Sequence, residues 1–227
     1  MEPHDFWQGF HQPEQGCGPP FTERYPAALP DGRILFLPIR PLHGAKHAIA
    51  SLNLPQCSFE VEDALAAILA ARLAPSAPDI VVGIPTLGLS LARNVAARLG
   101  HTRYVALGTS PKFWYDDALS VPLRSITSPT AEKKLFLDPR VRPLLADRRV
   151  CLVDDVISSG RSILAALDLL SKIGVTPVSV GTAMVQTRRW SAALSAKDKE
   201  GASRLFWAIE SPLLLRASGG WEVNAGV

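Results

Sequence analysis

Val150-Cys151-Leu152-Val153-Asp154-Asp155-Val156-Ile157-Ser158-Ser159-Gly160-Arg161-Ser162 is the stretch that decides how this chain is read. The four apolar residues 150–153 have the continuity of a strand buried on both faces. Two adjacent carboxylates stand at its carboxyl end. A loop of small residues then opens a helix over 163–173, stopped by Gly174. The hydroxyls of Ser158, Ser159 and Ser162, the backbone amides around Gly160 and the positive end of the helix dipole make a cup for a phosphate. Two acids beside an anion are repulsive unless they face hydroxyls or a divalent cation. A phosphorylated sugar with Mg²⁺ nearby satisfies both halves. A Ser-capped helix with solvated aspartates is the plain alternative.

Outward from this stretch the pattern repeats. Residues 79–84 form another compact apolar strand, followed by Pro85-Thr86-Leu87-Gly88 and a helix over 89–99 that ends at Gly100. Short strands are expected at 104–107 and 178–184. Strand–helix–strand alternation with continuous apolar strands predicts an α/β fold: a mostly parallel twisted sheet with helices on both faces. In such sheets ligands bind beyond the carboxyl ends of the strands, which singles out the loops 83–88 and 154–162. Upstream, Val61, Leu65, Ile68, Leu69 and Leu73 recur at helical spacing behind the cap residue Ser58. A strand at 34–39 follows the turn Pro30-Asp31-Gly32. Residues 1–33, rich in Gly, Pro and aromatics, read as an irregular extension. The expected organisation is an N-terminal extension and small hood over 1–58, a core over 59–190 and a C-terminal extension over 191–227.

Composition excludes several classes. Of 227 residues, 47% are hydrophobic and 20% charged, which is globular composition rather than that of a disordered or collagen-like chain. The 24 Lys and Arg against 21 Asp and Glu leave +3, too small and too dispersed to indicate nucleic-acid binding. No apolar run approaches the ~18–20 residues of a membrane span, and the first residues lack a basic-then-apolar leader. The three cysteines show no metal-ligand spacing, so reduced thiols and a cytoplasmic location are expected. His43, His47 and His101 have no triad spacing.

The thirteen-residue stretch resembles the phosphoribosyl-pyrophosphate (PRPP) motif of the type I phosphoribosyltransferases: apolar strand, two acids, small loop, hydroxyl-glycine, helix. Within that family, Pro30–Leu42 (PDGRILFLPIRPL) is similar to the hood segment of the adenine phosphoribosyltransferases. The resemblance implies Mg²⁺-dependent transfer of a 5-phosphoribosyl group from PRPP to a nitrogenous base, purine preferred, with pyrophosphate release and a place in nucleotide metabolism. It implies that Asp154 and Asp155 hold the ribose hydroxyls. Val156, Ile157, Ser158, Ser159, Gly160, Arg161 and Ser162 would form the loop around the 5-phosphate. Arg161 departs from the commoner Gly. Pro85, Thr86, Leu87 and Gly88 stand where the family has its pyrophosphate loop, with Leu87 in place of the usual cation. No protein group is expected to bind the metal directly; Mg²⁺ would be held through PRPP and water near the two acids.

Residues 108–138 are too long for a connector and read as a lid. Lys112 and Arg124 are the cations expected on the pyrophosphate, with Lys133 and Lys134 in reserve and Ser125, Thr127 and Ser128 as hydroxyl donors. A solvated surface charge is the competing reading of each cation. Phe113-Trp114-Tyr115 would shield the site, stack on a base or pack the lid. The expected partners are PRPP, a base and a second copy of the chain in a homodimer, with neither nucleic acid nor membrane. A non-catalytic PRPP sensor is the rival from another class, and transfer in a specialised small-molecule pathway is a third reading.

Overall fold

The computed structural model describes residues 1–13, 17–44, 46–123 and 133–224. In chain order the elements are β1 (Arg24–Ala28), β2 (Ile34–Pro41), β3 (His47–Ala50), α1 (Phe59–Leu73), β4 (Ile80–Gly83), α2 (Gly88–Arg98) and β5 (Val105–Ala106). They continue with β6 (Ser120–Pro122), β7 (Lys134–Phe136), the single turn α3 (Arg142–Leu145), β8 (Val150–Ile157), α4 (Arg161–Ser171) and β9 (Ser179–Gln186). The chain finishes with α5 (Arg189–Lys197), β10 (Leu205–Ser211), β11 (Leu213–Ala217) and β12 (Gly220–Val223).

The central sheet is parallel throughout, in the order β10-β9-β8-β4-β5. Alternation along β8 sorts its side chains between two layers. Cys151 and Val153 face a core shared with α1 and α2, whereas Val150 and Leu152 face one shared with α4 and α5. The start of α1 is local chemistry: the Ser58 hydroxyl accepts the Val61 N–H at 3.2 Å, with Glu60 and Glu62 in the first turn. Its persistence is tertiary. Leu65, Leu69 and Leu73 are fully buried, each worth about 1.5–3 kcal/mol against roughly 1 for the cap.

Two expectations change. The apolar run suggested a strand ending at Val153, but β8 continues to Ile157 and carries both aspartates inside the sheet. The reason is pairing. β4 stops at Gly83, opposite Val153, while β9 continues beside β8 as far as Val185 opposite Ile157. The second change concerns the ends of the chain. Residues 24–28, read as irregular, form β1. The parallel sheet runs past residue 190 to include β10, and β11 and β12 complete a five-stranded antiparallel hood in the order β1-β2-β3-β11-β12. Pro26 interrupts the strand signature of β1, which only an edge position tolerates.

The hood is tied to the sheet at one buried carbonyl. Gln186 Nε2, at the end of β9, and Ser211 Oγ, at the end of β10, both donate to the carbonyl of Ala50, at 3.1 and 3.2 Å. Losing one donor leaves the carbonyl satisfied by the other. Gln186→Met or Ser211→Ala alone should therefore cost under about 1 kcal/mol, and the pair about 1–3 kcal/mol more than their sum. Urea midpoints of the three variants check this; strict additivity would show that the shared carbonyl is not the tie.

Candidate active site

The order of connections places the site. From β4 the chain crosses through α2 to β5 on one side; from β8 it crosses through α4 to β9 and on to β10 on the other. The carboxyl ends of β4 and β8 therefore flank the point where the winding reverses, the place where an open α/β sheet leaves a crevice. Both loops expected from the sequence leave from it.

Gly88 brings the two loops into contact. A Cβ placed there would lie 2.8 Å from both the Cα and Oδ1 of Asp154. The first turn of α2 thus rests directly on the acid, and only hydrogen fits between them. Thr86 and Leu87 remain exposed at the loop tip, Leu87 at 42%, and the Pro85–Thr86 peptide is cis. On the other side Gly160 adopts φ +80° and begins α4, leaving first-turn amides of that helix without intrahelical partners. Trp190 backs this turn. A Cβ on Gly160 would lie 3.4 Å from that of Trp190, whose indole N–H is held by the Thr187 carbonyl at 2.9 Å. The contact of Trp190 with residue 160 is not local, so the sequence carries no signal for it.

A cavity of about 270 Å³ opens over the turn, lined by Asp154, Val156, Ile157, the whole 158–162 loop and, from the opposite wall, Leu123 and Lys133. No hydrogen bond engages the hydroxyls of Ser158, Ser159 or Ser162 among the described residues. Lys133, held in reserve on the sequence, is the lysine of this wall. Lys112, Asp155 and the Pro85–Gly88 loop are not among the residues lining this cavity. Arg124, with Ser125, Thr127 and Ser128, lies outside the described residues.

The wall carrying Leu123 and Lys133 is the ladder of β6 and β7, where the Leu123 N–H donates to the Lys133 carbonyl at 2.7 Å. Its base is fastened to α4: Lys172 Nζ donates to the carbonyls of Ala118 and Ser120 at 3.0 and 2.9 Å. Tyr115 packs on Phe136. Trp114 packs under the Arg140 guanidinium, which also pulls the Asp138 carboxyl down to about 2. Phe113, 96% exposed, meets only the edge-on ring of Trp114 among the described aromatic residues, with centroids 4.7 Å apart.

Asp154 is 5% exposed and its Oδ1 accepts the Asp155 N–H at 2.9 Å. Burial first, and then the neighbouring Asp155 charge, push its pKa well above the ordinary carboxyl value. Burial raises Asp155 too, against hydrogen bonds that lower it. Of the pair, Asp154 is pushed the further toward its protonated form. Among the described residues no three His, Cys, Asp or Glu side chains converge as a metal site. The two carboxylates offer hard oxygen suited to a diol, or to a hard cation whose remaining ligands come from elsewhere.

A family model described as phosphoribosyl transferase domain matches residues 51–214. The chain belongs to that family. Two of the phosphoribosyltransferase relatives are the bifunctional protein PyrR of Deinococcus radiodurans and the xanthine phosphoribosyltransferase of Chloroflexus aurantiacus. The first is 36% identical over 94 residues, 41% of this chain and 48% of that protein. The second is 33% identical over 124 residues, 53% and 55% of the respective chains. The chain thus spans about half the length of the curated relatives it matches. Among solved structures, the APRTase of Giardia lamblia complexed with 9-deazaadenine superposes with a TM-score of 0.54 at 23% identity, covering 66% of this chain and 80% of that one. That likeness is one of fold. No helix among the described residues is long and apolar enough to cross a membrane.

The buried acid of this phosphoribosyltransferase domain has a measurable cost. A carboxyl whose pKa is raised by folding holds its proton more tightly in the folded chain, so its contribution to stability falls as pH rises from the ordinary value of 3.8. Asp154→Asn removes the ionisation and keeps an acceptor for the Asp155 N–H. It should raise the urea midpoint at neutral pH, with the gain vanishing as pH approaches 3.8. A loss of stability independent of pH would contradict this account.

Proposed function

We propose that the protein transfers the 5-phosphoribosyl group of PRPP to a nitrogenous base, with a purine preferred, and releases pyrophosphate. The observation that carries this reading is the contact of Gly88 with Asp154, which sets a loop able to receive pyrophosphate against an acid able to hold ribose. A phosphate loop opens from the same strand. The 5-phosphate would sit on the amides and hydroxyls of 158–162, with Arg161 at the rim. Asp154 and Asp155 would take the ribose hydroxyls, and the amides of Thr86, Leu87 and Gly88 the pyrophosphate.

In the reaction a ring nitrogen of the base forms a bond to C1 of the ribose while the bond from C1 to the pyrophosphate oxygen breaks. The pyrophosphate leaves with the electron pair, and the nitrogen gives up its proton to water or a nearby base. The protein supplies position and charge. The carboxylates would face a ribose that becomes cationic, and Lys133, on the cavity wall, would approach the phosphates, with Lys112 the second candidate from the sequence. Mg²⁺, held by substrate oxygens and water beside the two acids, would spread the charge of the departing pyrophosphate. The relative named for xanthine transfer supports a purine. A homodimer and a cytoplasmic location belong to the same reading.

Leu87 supports a second reading, a PRPP-binding regulator without turnover. An apolar side chain at the exposed tip of this loop leaves it with amides and the Thr86 hydroxyl but no cation. Pyrophosphate release from PRPP and Mg²⁺, measured across purines, pyrimidines and related bases, separates the two. Base-dependent release is expected. PRPP binding by calorimetry with no release for any base would favour the regulator, and no binding would sink both. The Asp154→Asn, Asp155→Asn double variant should fold and lose at least about a hundredfold in rate. Lys133→Ala should raise the KM for PRPP more than Lys112→Ala does, since Lys133 alone of the two lines the phosphate cavity. The reverse order would place Lys112 on the substrate instead.

A further inference from the structure

The opposite end of the central sheet carries a second hollow, of about 360 Å³, at the amino ends of β4, β5 and β8. We propose that it binds a small phosphate-bearing anion, at a place separate from the crevice that would take PRPP. The two are kept apart by the length of the strands: Asp79, His101 to Arg103 and Arg148 stand before β4, β5 and β8, whereas the phosphate loop follows β8.

Three observations carry the assignment. Arg103 and Arg148 border the hollow, and neither guanidinium has a carboxylate or carbonyl partner among the described residues. Arg149, the immediate neighbour of Arg148, shows the contrast. Its side chain is consumed by the carbonyls of Ser76 and Ala77. The third observation is His101, in the wall of the same hollow. Its Nε2 is buried with no hydrogen-bond partner among the described residues. A buried polar atom left bare is costly, and an anionic oxygen accepting an N–H from the ring would remove that cost.

The rest of the lining fits the same ligand. Thr102 adds a hydroxyl. The Asp79 carboxylate opposes an anion, but its Oδ2 is already occupied by the Arg149 N–H at 2.8 Å. Two cations against that one acid leave the rim positive. Pro143 and Leu144, from the turn α3, form an apolar wall opposite a flat group. Guanidinium pairs and a ring N–H match phosphate oxygens, and the apolar wall suits the base or sugar of a nucleoside monophosphate. Inorganic phosphate and a nucleotide share the charged half of this chemistry.

The test reads the site directly and does not depend on the transfer reaction. The full chain, isotope-labelled at histidine, is titrated with inorganic phosphate and separately with AMP. The His101 imidazole resonance is followed, assigned by its loss in His101→Gln. A saturable shift with a Kd in the millimolar range or tighter is expected, weakened about tenfold or more in Arg103→Gln, Arg148→Gln. Both arginines are exposed, so that variant should keep its circular dichroism, and Arg148→Gln alone provides a milder step. Tighter binding of AMP would assign a nucleotide, and equal binding a simple phosphate; either keeps the proposal. No shift of His101 with either probe, or a shift undiminished by the arginine substitutions, would overturn it.

Discussion

A carboxyl group is kept out of water at Asp154 because the central sheet parts at that point. β4 ends opposite Val153, and β8 goes on with β9 as its neighbour. The gap left by β4 is filled by the first turn of α2, laid against Asp154 through Gly88. Everything else about the site depends on this contact. It brings the two loops together, sets the cavity above the reversal of the winding, and raises the energy of the ionised acid. A bound ligand that offers hydroxyls or a cation to the pair would relieve that penalty. Stability is given up in the free protein where affinity is needed, the usual trade at a functional site.

Helix α4 connects the two walls of the cavity. Its first turn carries the amides and hydroxyls of the 158–162 loop, and Lys172, just past its last residue, holds the carbonyls of Ala118 and Ser120 at the foot of β6. Leu119, Val121, Leu135 and Leu137 share the core with Ile163, Ala166, Leu169 and Leu170. The arm bearing Leu123 and Lys133 is therefore positioned by the same helix that presents the phosphate loop. A change in the tilt of α4 would move both walls together.

How much of this could be read from the chain depended on how local the signal was. The strand–loop–helix around 154–162 was legible because strand, acids, hydroxyls, glycine and helix start are adjacent in sequence and each has its own chemistry. The end of β8 was not. Two aspartates look like the end of a buried strand, and only the unequal lengths of β4 and β9 show that the backbone continues. The hood was half legible. Ile34–Pro41 has a strand's composition, but β3 finds its partner β11 more than 160 residues away, and no local pattern announces that pairing. Choosing among the lysines also failed for a geometric reason. Lys112 precedes β6 whereas Lys133 lies between β6 and β7, and only the pairing of those strands brings Lys133 to the cavity wall. A glycine at position 88 permits close backbone approach, but nothing local in the sequence says that its neighbour is Asp154.

The double origin of the hood bears on how an acceptor could be chosen. Had the hood been built from residues 1–58 alone, it would hang from the core by one connection and could swing. Instead the chain crosses between hood and core twice, through residues 51–58 into α1 and through the single residue Pro212 between β10 and β11. Next to these crossings Gln186 and Ser211 fasten Ala50 from the ends of adjacent strands. Two short crossings and a shared buried carbonyl leave no hinge. Under the proposed reaction a base seated between hood and crevice would therefore meet one fixed wall. Its selection would rest on the shape and hydrogen-bonding groups of that wall.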